Sequence, residues 1–205
     1  MNPSDDTLPS GCLPEGSATC SATLEPHVVG MSEMLDKFAL QQLAWTYCHA
    51  IDRGDLKLVR SLYHDDAIDD HGPMFSGSPD EYVAWLPSML ANWEITSHVI
   101  SNMLFLIDGN QAEGELVVLA YHRTPAPGSR ELIARGRYLD RYEKRDGIWR
   151  FLRRSLVLDA MEERATPMSE GPSLDEGMEK GRLDAGDACF TRLARFDRQR
   201  GLRSR

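Results

Sequence analysis

The sequence predicts an α+β domain in which helices pack on a strongly curved, mostly antiparallel sheet. Three helical patterns come first along the chain and four strand patterns follow, an order that indicates α+β architecture. The strands are apolar on both faces, whereas a sheet with one face in water would alternate more regularly between polar and apolar residues. We therefore expect the sheet to curl, with helices on one face and an enclosed pocket on the other.

Three helices open the predicted domain. The first spans Ser32 to Ile51 and places Asp52 at the edge of an apolar stripe that recurs at helical spacing. That stripe consists of Leu40, Leu43, Ala44, Tyr47, Cys48 and Ile51. The second helix runs from Asp55 to about Tyr63. The third begins at Ser78, which forms a capping box with Glu81, and Pro87 is expected to kink or end it.

Strand patterns follow the third helix. We predict strands over Thr96–Ile107, Gly114–His122, Glu131–Lys144 and Ile148–Asp159, with turns at Asp108-Gly109 and Asp146-Gly147. A further short strand is possible at Ala67–His71, between the second and third helices.

Composition and charge set the class of protein. The chain has 205 residues, of which 41% are hydrophobic and 27% charged, as in an ordinary globular protein. Its net charge of −9 argues against nucleic acid as a partner. No apolar run is long enough to span a bilayer, and the acidic N-terminus does not resemble a signal peptide. We expect a cytoplasmic protein that does not associate with membranes.

The domain is expected to occupy residues 32–161, between two tails. Residues 1–31 are rich in polar residues, proline and glycine and are predicted to be disordered. Residues 162–205 form a polar extension in which Phe190, Leu193 and Phe196 give a weak amphipathic signal. This extension could form a lid, contact a second subunit or remain largely disordered. The four cysteines show no zinc-like or disulfide framework spacing.

Three sequence blocks, in order, carry a resemblance to a known family. They are Tyr47-x4-Asp52-x-Gly54-Asp55, Thr96-Ser97-His98-x3-Asn102, and Gly136-Arg137-Tyr138-x-Asp140-Arg141-x5-Gly147-x-Trp149-Arg150-Phe151-x2-Arg154. Over residues 34–161 the chain resembles the SnoaL-like branch of the nuclear transport factor 2 fold, which implies a cone-shaped α+β barrel. The nearest branch holds scytalone dehydratase, bile-acid dehydratase and hexachlorocyclohexane dehydrochlorinase.

The resemblance implies a set of working residues and a reaction class. Those enzymes are lyases whose aspartate–histidine pair matches Asp52 and His98. An active-site tyrosine matches Tyr47, a late arginine matches Arg154, and a second pocket histidine would be His122. Formaldehyde-releasing lyases that act on lignin-derived diaryl compounds also belong to this fold, so the resemblance does not settle the substrate. Members often form dimers or trimers through the outer sheet surface, so we expect a homodimer or homotrimer.

These residue types suit acid–base chemistry on carbon. Histidine titrates near neutral pH, and a carboxylate on one ring nitrogen fixes its tautomer and stabilises its protonated form. In this interpretation His98 removes the proton, Tyr47 donates to a departing oxygen and Arg154 stabilises developing negative charge. His122 could serve as a second acid. The chemistry requires no metal or nucleotide cofactor, and no phosphate-binding loop is recognisable.

The predicted pocket is apolar and suits a hydrophobic ring, either aromatic or steroid-like. We expect the substrate to contact five side chains: Trp85, Met89, Asn102, Tyr121 and His122. Leu104, Phe105 and Leu119 are expected to add apolar lining.

Each of these residues also has a purely structural interpretation. Asp52 could cap a helix junction, and His98 or Tyr47 could be satisfied core residues. Arg154 could pair with Asp140. The stretch of histidines and aspartates over residues 64–71 suggests metal ligands, but a solvated loop is the favoured interpretation, with His71 able to reach the pocket rim.

Three functions remain open on the sequence alone. The first is a lyase started by His98. The second is an isomerase or cyclase of ketosteroid-isomerase type, in which Asp52 itself is the base. The third is a noncatalytic, oligomer-forming protein like the β subunit of ring-hydroxylating dioxygenases. Loss of activity on mutation of His98 would separate the first from the second.

Overall fold

The predicted fold class is confirmed by the computed structural model, which describes residues 24–25, 27–166, 175–193 and 195–196. Helices pack against a six-stranded, mostly antiparallel sheet that curls without closing. The elements are α1 (Met31–Asp52), α2 (Leu56–Ser61), β1 (Tyr63–Asp70), a 3-10 turn (Gly72–Met74), β2 (Ser76–Gly77), α3 (Pro79–Leu90), β3 (Ile95–Asp108), β4 (Gln111–Arg123), β5 (Arg130–Arg145), β6 (Ile148–Ala165) and α4 (Ala188–Arg192).

The strands lie in the order β2-β1-β6-β5-β4-β3, with β1 parallel to β6 and the other neighbours antiparallel. β1 is longer than the predicted strand at 67–71 because it already begins at Tyr63, where the second helix was expected to end. The solvated loop favoured over residues 64–71 is therefore wrong. Most of this stretch is a strand, and its alternate residues Ala67 and Asp69 are buried.

The apolar stripe of α1 faces the sheet and forms the centre of the core. Leu40 and Ala44 are fully buried, and Tyr47 and Ile51 are nearly so. The capping box of α3 is present, since the Ser78 hydroxyl accepts from the Glu81 N–H and the Glu81 carboxylate accepts from the Ser78 N–H. α3 continues through Pro87 to Leu90. The helices thus cover one opening of the curled sheet.

Part of the C-terminal extension packs on the helices of its own chain. The Leu183 carbonyl lies so close to Gly54 that a Cβ at that glycine would be 2.4 Å from the oxygen. Asp187 forms an ion pair with Arg53, and the ring of Phe190 lies 6.0 Å from that of His49. The described part of the extension therefore packs on the end of α1 and on the turn that leads to α2.

Several expectations stay predictions. The disordered tail at 1–31 lies largely outside the described residues. The convex face of the sheet carries exposed apolar side chains at Val99, Leu104, Leu119 and Leu139, but self-association through it stays a prediction. Within the described residues, none of the helices has the length and apolar character needed to cross a membrane.

Candidate active site

Asp52 and His98 meet at the end of α1. Asp52 is the last residue of that helix, and His98 lies on the edge strand β3. The His98 backbone N–H donates to Asp52 Oδ2 at 2.7 Å, and the His98 ring nitrogen Nδ1 lies 2.7 Å from Oδ1. The Thr96 hydroxyl donates to Oδ1 at 3.3 Å. Sequence-distant groups from a helix and a strand therefore form one hydrogen-bonded unit.

The charge on Asp52 fixes the tautomer of His98. Burial alone would raise the pKa of Asp52, but the hydrogen bonds and charge of His98 outweigh it and hold the pKa below its ordinary value. An ionised carboxylate can only accept, so Nδ1 carries the shared hydrogen. Among the described residues, Nε2 has no hydrogen-bond partner. When His98 is neutral, Nε2 is therefore the basic nitrogen.

His98 opens onto an apolar cavity of about 500 Å³ inside the curled sheet. The polar side-chain groups of its lining are imidazoles, phenols and indoles, and no Asp, Glu, Lys or Arg of the described residues contributes to it. Its larger lining side chains are Tyr47, Ile51, His71, Met74, Tyr82, Trp85, Met89, Trp93, His98, Val118, His122, Leu132, Tyr138, Leu156, Leu158 and Met161. The lining is therefore predominantly apolar and carries no formal charge from the described residues, apart from any protonated imidazole.

His122 lies beside His98 in this lining. Its ring stacks on Trp93 at 4.7 Å between centroids and meets the His98 ring edge-on at 5.4 Å. Burial, with a further contribution from the charge of His98, lowers the pKa of His122 to about 4. It is therefore neutral at physiological pH, which makes it unsuited to the second-acid role that sequence analysis considered.

Tyr47 lines the cavity and shares a hydrogen bond with a second tyrosine. The hydroxyls of Tyr47 and Tyr82 are 2.7 Å apart. Burial raises the pKa of both phenols well above the ordinary value, so both stay protonated. Tyr47 can therefore donate a hydrogen bond inside the cavity but gives up its proton with difficulty.

Arg154 does not line the cavity, which corrects the prediction that it acts on the substrate. Its side chain is fully buried and donates to Asp140 at 2.9 and 2.6 Å. The guanidinium stacks 4.2 Å from the Tyr47 ring centroid and 4.0 Å from that of Tyr138, both of which face the cavity. Arg154 therefore packs against the side of these two rings that faces away from the cavity. It forms the ion pair with Asp140 that the structural interpretation of this residue expected.

Tyr121 and Asn102 are also misplaced by sequence analysis. Adjacent residues of a strand point to opposite faces, so Tyr121 cannot share the cavity with His122. The Tyr121 hydroxyl instead donates to Glu131. Asn102 is exposed within an irregularity of β3 between Ile100 and Met103.

The expected apolar lining is wrong at three positions for similar reasons. Leu104 and Leu119 lie on the convex face and are 53% and 38% exposed. Phe105 is buried in the core against the Tyr142 ring rather than lining the cavity.

The stretch at 64–71 contributes one cavity residue that sequence analysis placed only at the rim. His71 lines the cavity and bonds to the buried Asp69. The signal was the i, i+2 spacing, which puts both side chains on one face of a strand. The other acids of this stretch pair with arginines: Asp65 with Arg60, Asp66 with Arg145 and Asp70 with Arg153.

A helix-covered, curled sheet with a histidine–aspartate pair in its cavity belongs to the SnoaL-like class of the nuclear transport factor 2-like fold. Residues 32–155 match the model of the SnoaL-like domain, and the chain belongs to that family.

Relatives and solved structures agree with this assignment. An uncharacterized protein of Mycobacterium tuberculosis is 25% identical over 137 residues, which cover 65% of this chain and 92% of that protein. The structure of a candidate scytalone dehydratase from Novosphingobium aromaticivorans is 25% identical, with a TM-score of 0.59 over 69% of this chain and 98% of that one. A hexachlorocyclohexane dehydrochlorinase from Novosphingobium barchaimii shares the fold at 18% identity, with a TM-score of 0.62 over 69% and 99% of the two chains.

Proposed function

We propose that this protein is a cofactor-independent lyase for a neutral, hydrophobic small molecule with an aromatic or polycyclic skeleton. His98 removes a proton from carbon and a leaving group departs from the neighbouring atom. The observation that carries the proposal is the Asp52–His98 pair, with its basic Nε2 directed to an apolar cavity that lacks charged lining among the described residues.

The two hydrogen bonds that Asp52 accepts from His98 favour histidine as the base. Oδ2 is bound by the His98 backbone N–H, and Oδ1 by the His98 ring and the Thr96 hydroxyl. A carboxylate occupied in this way orients an imidazole and stabilises its positive charge, as the aspartate of a hydrolase triad does. It is poorly placed to take a proton from the substrate, which disfavours the isomerase alternative in which Asp52 is the base.

The lining limits the substrate class. Without a lysine or arginine in the described lining, the cavity offers no countercharge to a carboxylate or phosphate. Trp85, Met89 and Trp93 present broad apolar surfaces for a ring system. The candidates are therefore uncharged ring compounds with an acidified C–H and a hydroxyl, alkoxyl or halide on the adjacent carbon. The apolar cavity and its polar pair also favour an enzyme over a purely oligomer-forming protein.

The test is a turnover screen with a matched histidine pair. The full chain is assayed against uncharged aryl ketones with a hydroxyl, alkoxyl or chloride in the β position, and the new C=C bond is followed by ultraviolet absorbance. We expect His98→Asn to lower kcat by about 10²–10⁴-fold, the usual contribution of a general base. Asparagine retains a donor near the Nδ1 position but has no Nε2.

The control is His27→Asn. This histidine precedes α1, bonds to Glu25 and Glu33, and does not line the cavity. Turnover in the control should match the wild type. Turnover that survives in His98→Asn would refute the proposal.

A further inference from the structure

A second histidine–aspartate pair, His71 and Asp69, lies beside the same cavity, and its imidazole is part of the lining. His71 Nδ1 lies 2.6 Å from Asp69 Oδ1, with the two side chains 11% and 0% exposed. The corresponding contact of His98 with Asp52 is 2.7 Å, at 10% and 11% exposure. Both imidazoles therefore bind a buried carboxylate through Nδ1 and line one cavity.

The two pairs enter the cavity from different sides. His71 directly follows β1, whereas His98 lies on β3, and the strands β6, β5 and β4 separate them in the sheet. Neighbouring strands are about 4.8 Å apart, so only the curl of the sheet brings both histidines to the same space. A substrate in the cavity can therefore contact an imidazole from each of the two pairs.

The His71 ring is held in a fixed orientation. The second oxygen of Asp69 accepts from the Tyr63 hydroxyl at 2.6 Å, so both oxygens of this fully buried carboxylate are bound. The His71 ring stacks on the Tyr82 ring, at 5.5 Å between centroids and 17° between planes. Within the described part of the chain, His71 Nε2 has no hydrogen-bond partner.

We infer that His71, protonated and paired with Asp69, is the general acid that protonates a departing oxygen, so that the preferred substrate has an oxygen leaving group. This inference rests on the proposed lyase function. The C–H proton moves to His98 Nε2, and the C–H electron pair forms the new C=C bond. The adjacent C–O bond breaks, and its oxygen takes the proton from His71 Nε2 and leaves as water or an alcohol. His98 then releases its proton to water and His71 takes one up, which restores both residues.

Tyr47 is less suited to this transfer. Its hydroxyl is shared with Tyr82, and burial keeps the phenol protonated. An imidazolium gives up its proton near neutral pH far more readily than a phenol does. Tyr47 can hold the substrate by a hydrogen bond while His71 transfers the proton.

The test compares leaving groups that do and do not need a proton. Wild type, His71→Asn and His98→Asn are assayed on a matched pair of neutral aryl ketones, one with a β-hydroxyl and one with a β-chloride. Chloride leaves without protonation. We expect His71→Asn to lose about 10²–10⁴-fold on the hydroxyl substrate and less than about tenfold on the chloride substrate. His98→Asn should lose activity on both.

A second readout isolates proton removal. An analogue with hydrogen in place of the leaving group is incubated in D₂O, and C–H exchange is followed by NMR. His71→Asn should lose less than about tenfold in the exchange rate, whereas His98→Asn should lose about 10²–10⁴-fold. Asparagine at position 71 can still donate a hydrogen bond to Asp69. Thermal unfolding checks that each variant is folded, and His71→Gln is used instead if His71→Asn does not unfold cooperatively.

The outcomes separate this inference from the proposed function. If His71→Asn loses activity equally on both substrates, or loses none on either, the role of His71 is overturned while His98 remains the proposed base. Full activity of His98→Asn on both substrates would overturn the lyase itself.

Discussion

Asp52 binds His98 twice, once at its backbone N–H and once at its ring, both at 2.7 Å. The backbone contact fixes the position of the carboxylate relative to β3, and the ring contact then fixes the imidazole. The end of α1 is therefore coupled to the edge of the sheet through the carboxylate that orients His98.

This double contact predicts the effect of Asp52→Asn. An asparagine side chain can replace only part of the hydrogen bonding to His98, because its NH₂ group cannot accept from the His98 backbone N–H or from the ring N–H. It also removes the charge that stabilises the imidazolium. We expect kcat on the substrate found in the screen to fall by about 10²–10⁴-fold. The control is Thr96→Val, which removes only a 3.3 Å contact and should cost less than about tenfold. Equal rates for Asp52→Asn and wild type would contradict this role.

The buried Arg154–Asp140 pair predicts a loss of stability on mutation. Arg154→Met leaves a fully buried carboxylate with only the Tyr142 hydroxyl as a side-chain donor among the described residues. Removal of one partner of a buried ion pair typically costs about 3–5 kcal/mol. We expect urea unfolding to show a loss of this size. The double variant Arg154→Met/Asp140→Leu should recover much of it, because no uncompensated charge remains. A double variant as unstable as Arg154→Met would contradict this account.

Local pattern was sufficient to predict most of the secondary structure. The apolar stripe of α1, the Ser78–Glu81 box and the glycine turns are determined by neighbouring residues, and they occur as predicted. Asp52 and His98 were named from a resemblance in sequence, since nothing local brings position 52 to position 98.

The errors at the site arise from side-chain direction and long-range pairing. The prediction that Tyr121 contacts the substrate is wrong because adjacent residues of a strand point to opposite faces, and His122 is the one that lines the cavity. The prediction that Arg154 acts on the substrate is wrong because the pairing of β5 with β6 places Arg154 opposite Asp140. Local sequence does not fix that register. The role of His71 depends on the parallel pairing of β1 with β6, which no short-range signal encodes.

His122 predicts an acid-sensitive component of stability. Its pKa is about 4 in the folded protein, below the ordinary 6.5, so the unfolded chain binds more protons between these values. The contribution of His122 to the free energy of unfolding is therefore fully present above pH 6.5. It declines as the pH falls towards 4, by at most about 3 kcal/mol. His98 and Asp52 are the titratable groups that act on it.

The measurement is urea unfolding at pH 7.5 and pH 5. His122→Phe retains a ring against Trp93 but cannot titrate, so its loss of stability between the two pH values should be smaller than that of wild type by about 1–2 kcal/mol. His27→Phe removes a histidine whose pKa is raised by its contacts with Glu25 and Glu33, so this variant should lose at least as much stability between the two pH values as the wild type does. The prediction fails if the two variants show the same pH dependence.

Two glycines with the same backbone conformation test the docking of the C-terminal segment. Gly54 has φ +60° and Gly109 has φ +57°, so alanine at either position carries a left-handed penalty of about 1 kcal/mol. Only at Gly54 would the new Cβ also meet the Leu183 carbonyl, at 2.4 Å, whereas nothing lies within 4 Å at Gly109. Gly54→Ala should therefore displace the segment around Leu183 from α1 and α2. Limited trypsin digestion after Lys180 and Arg182 should be faster than in wild type, and Gly109→Ala should be digested there at the wild-type rate despite a similar loss of global stability. Equal digestion of the two variants would mean that the contact at Gly54 does not hold the segment.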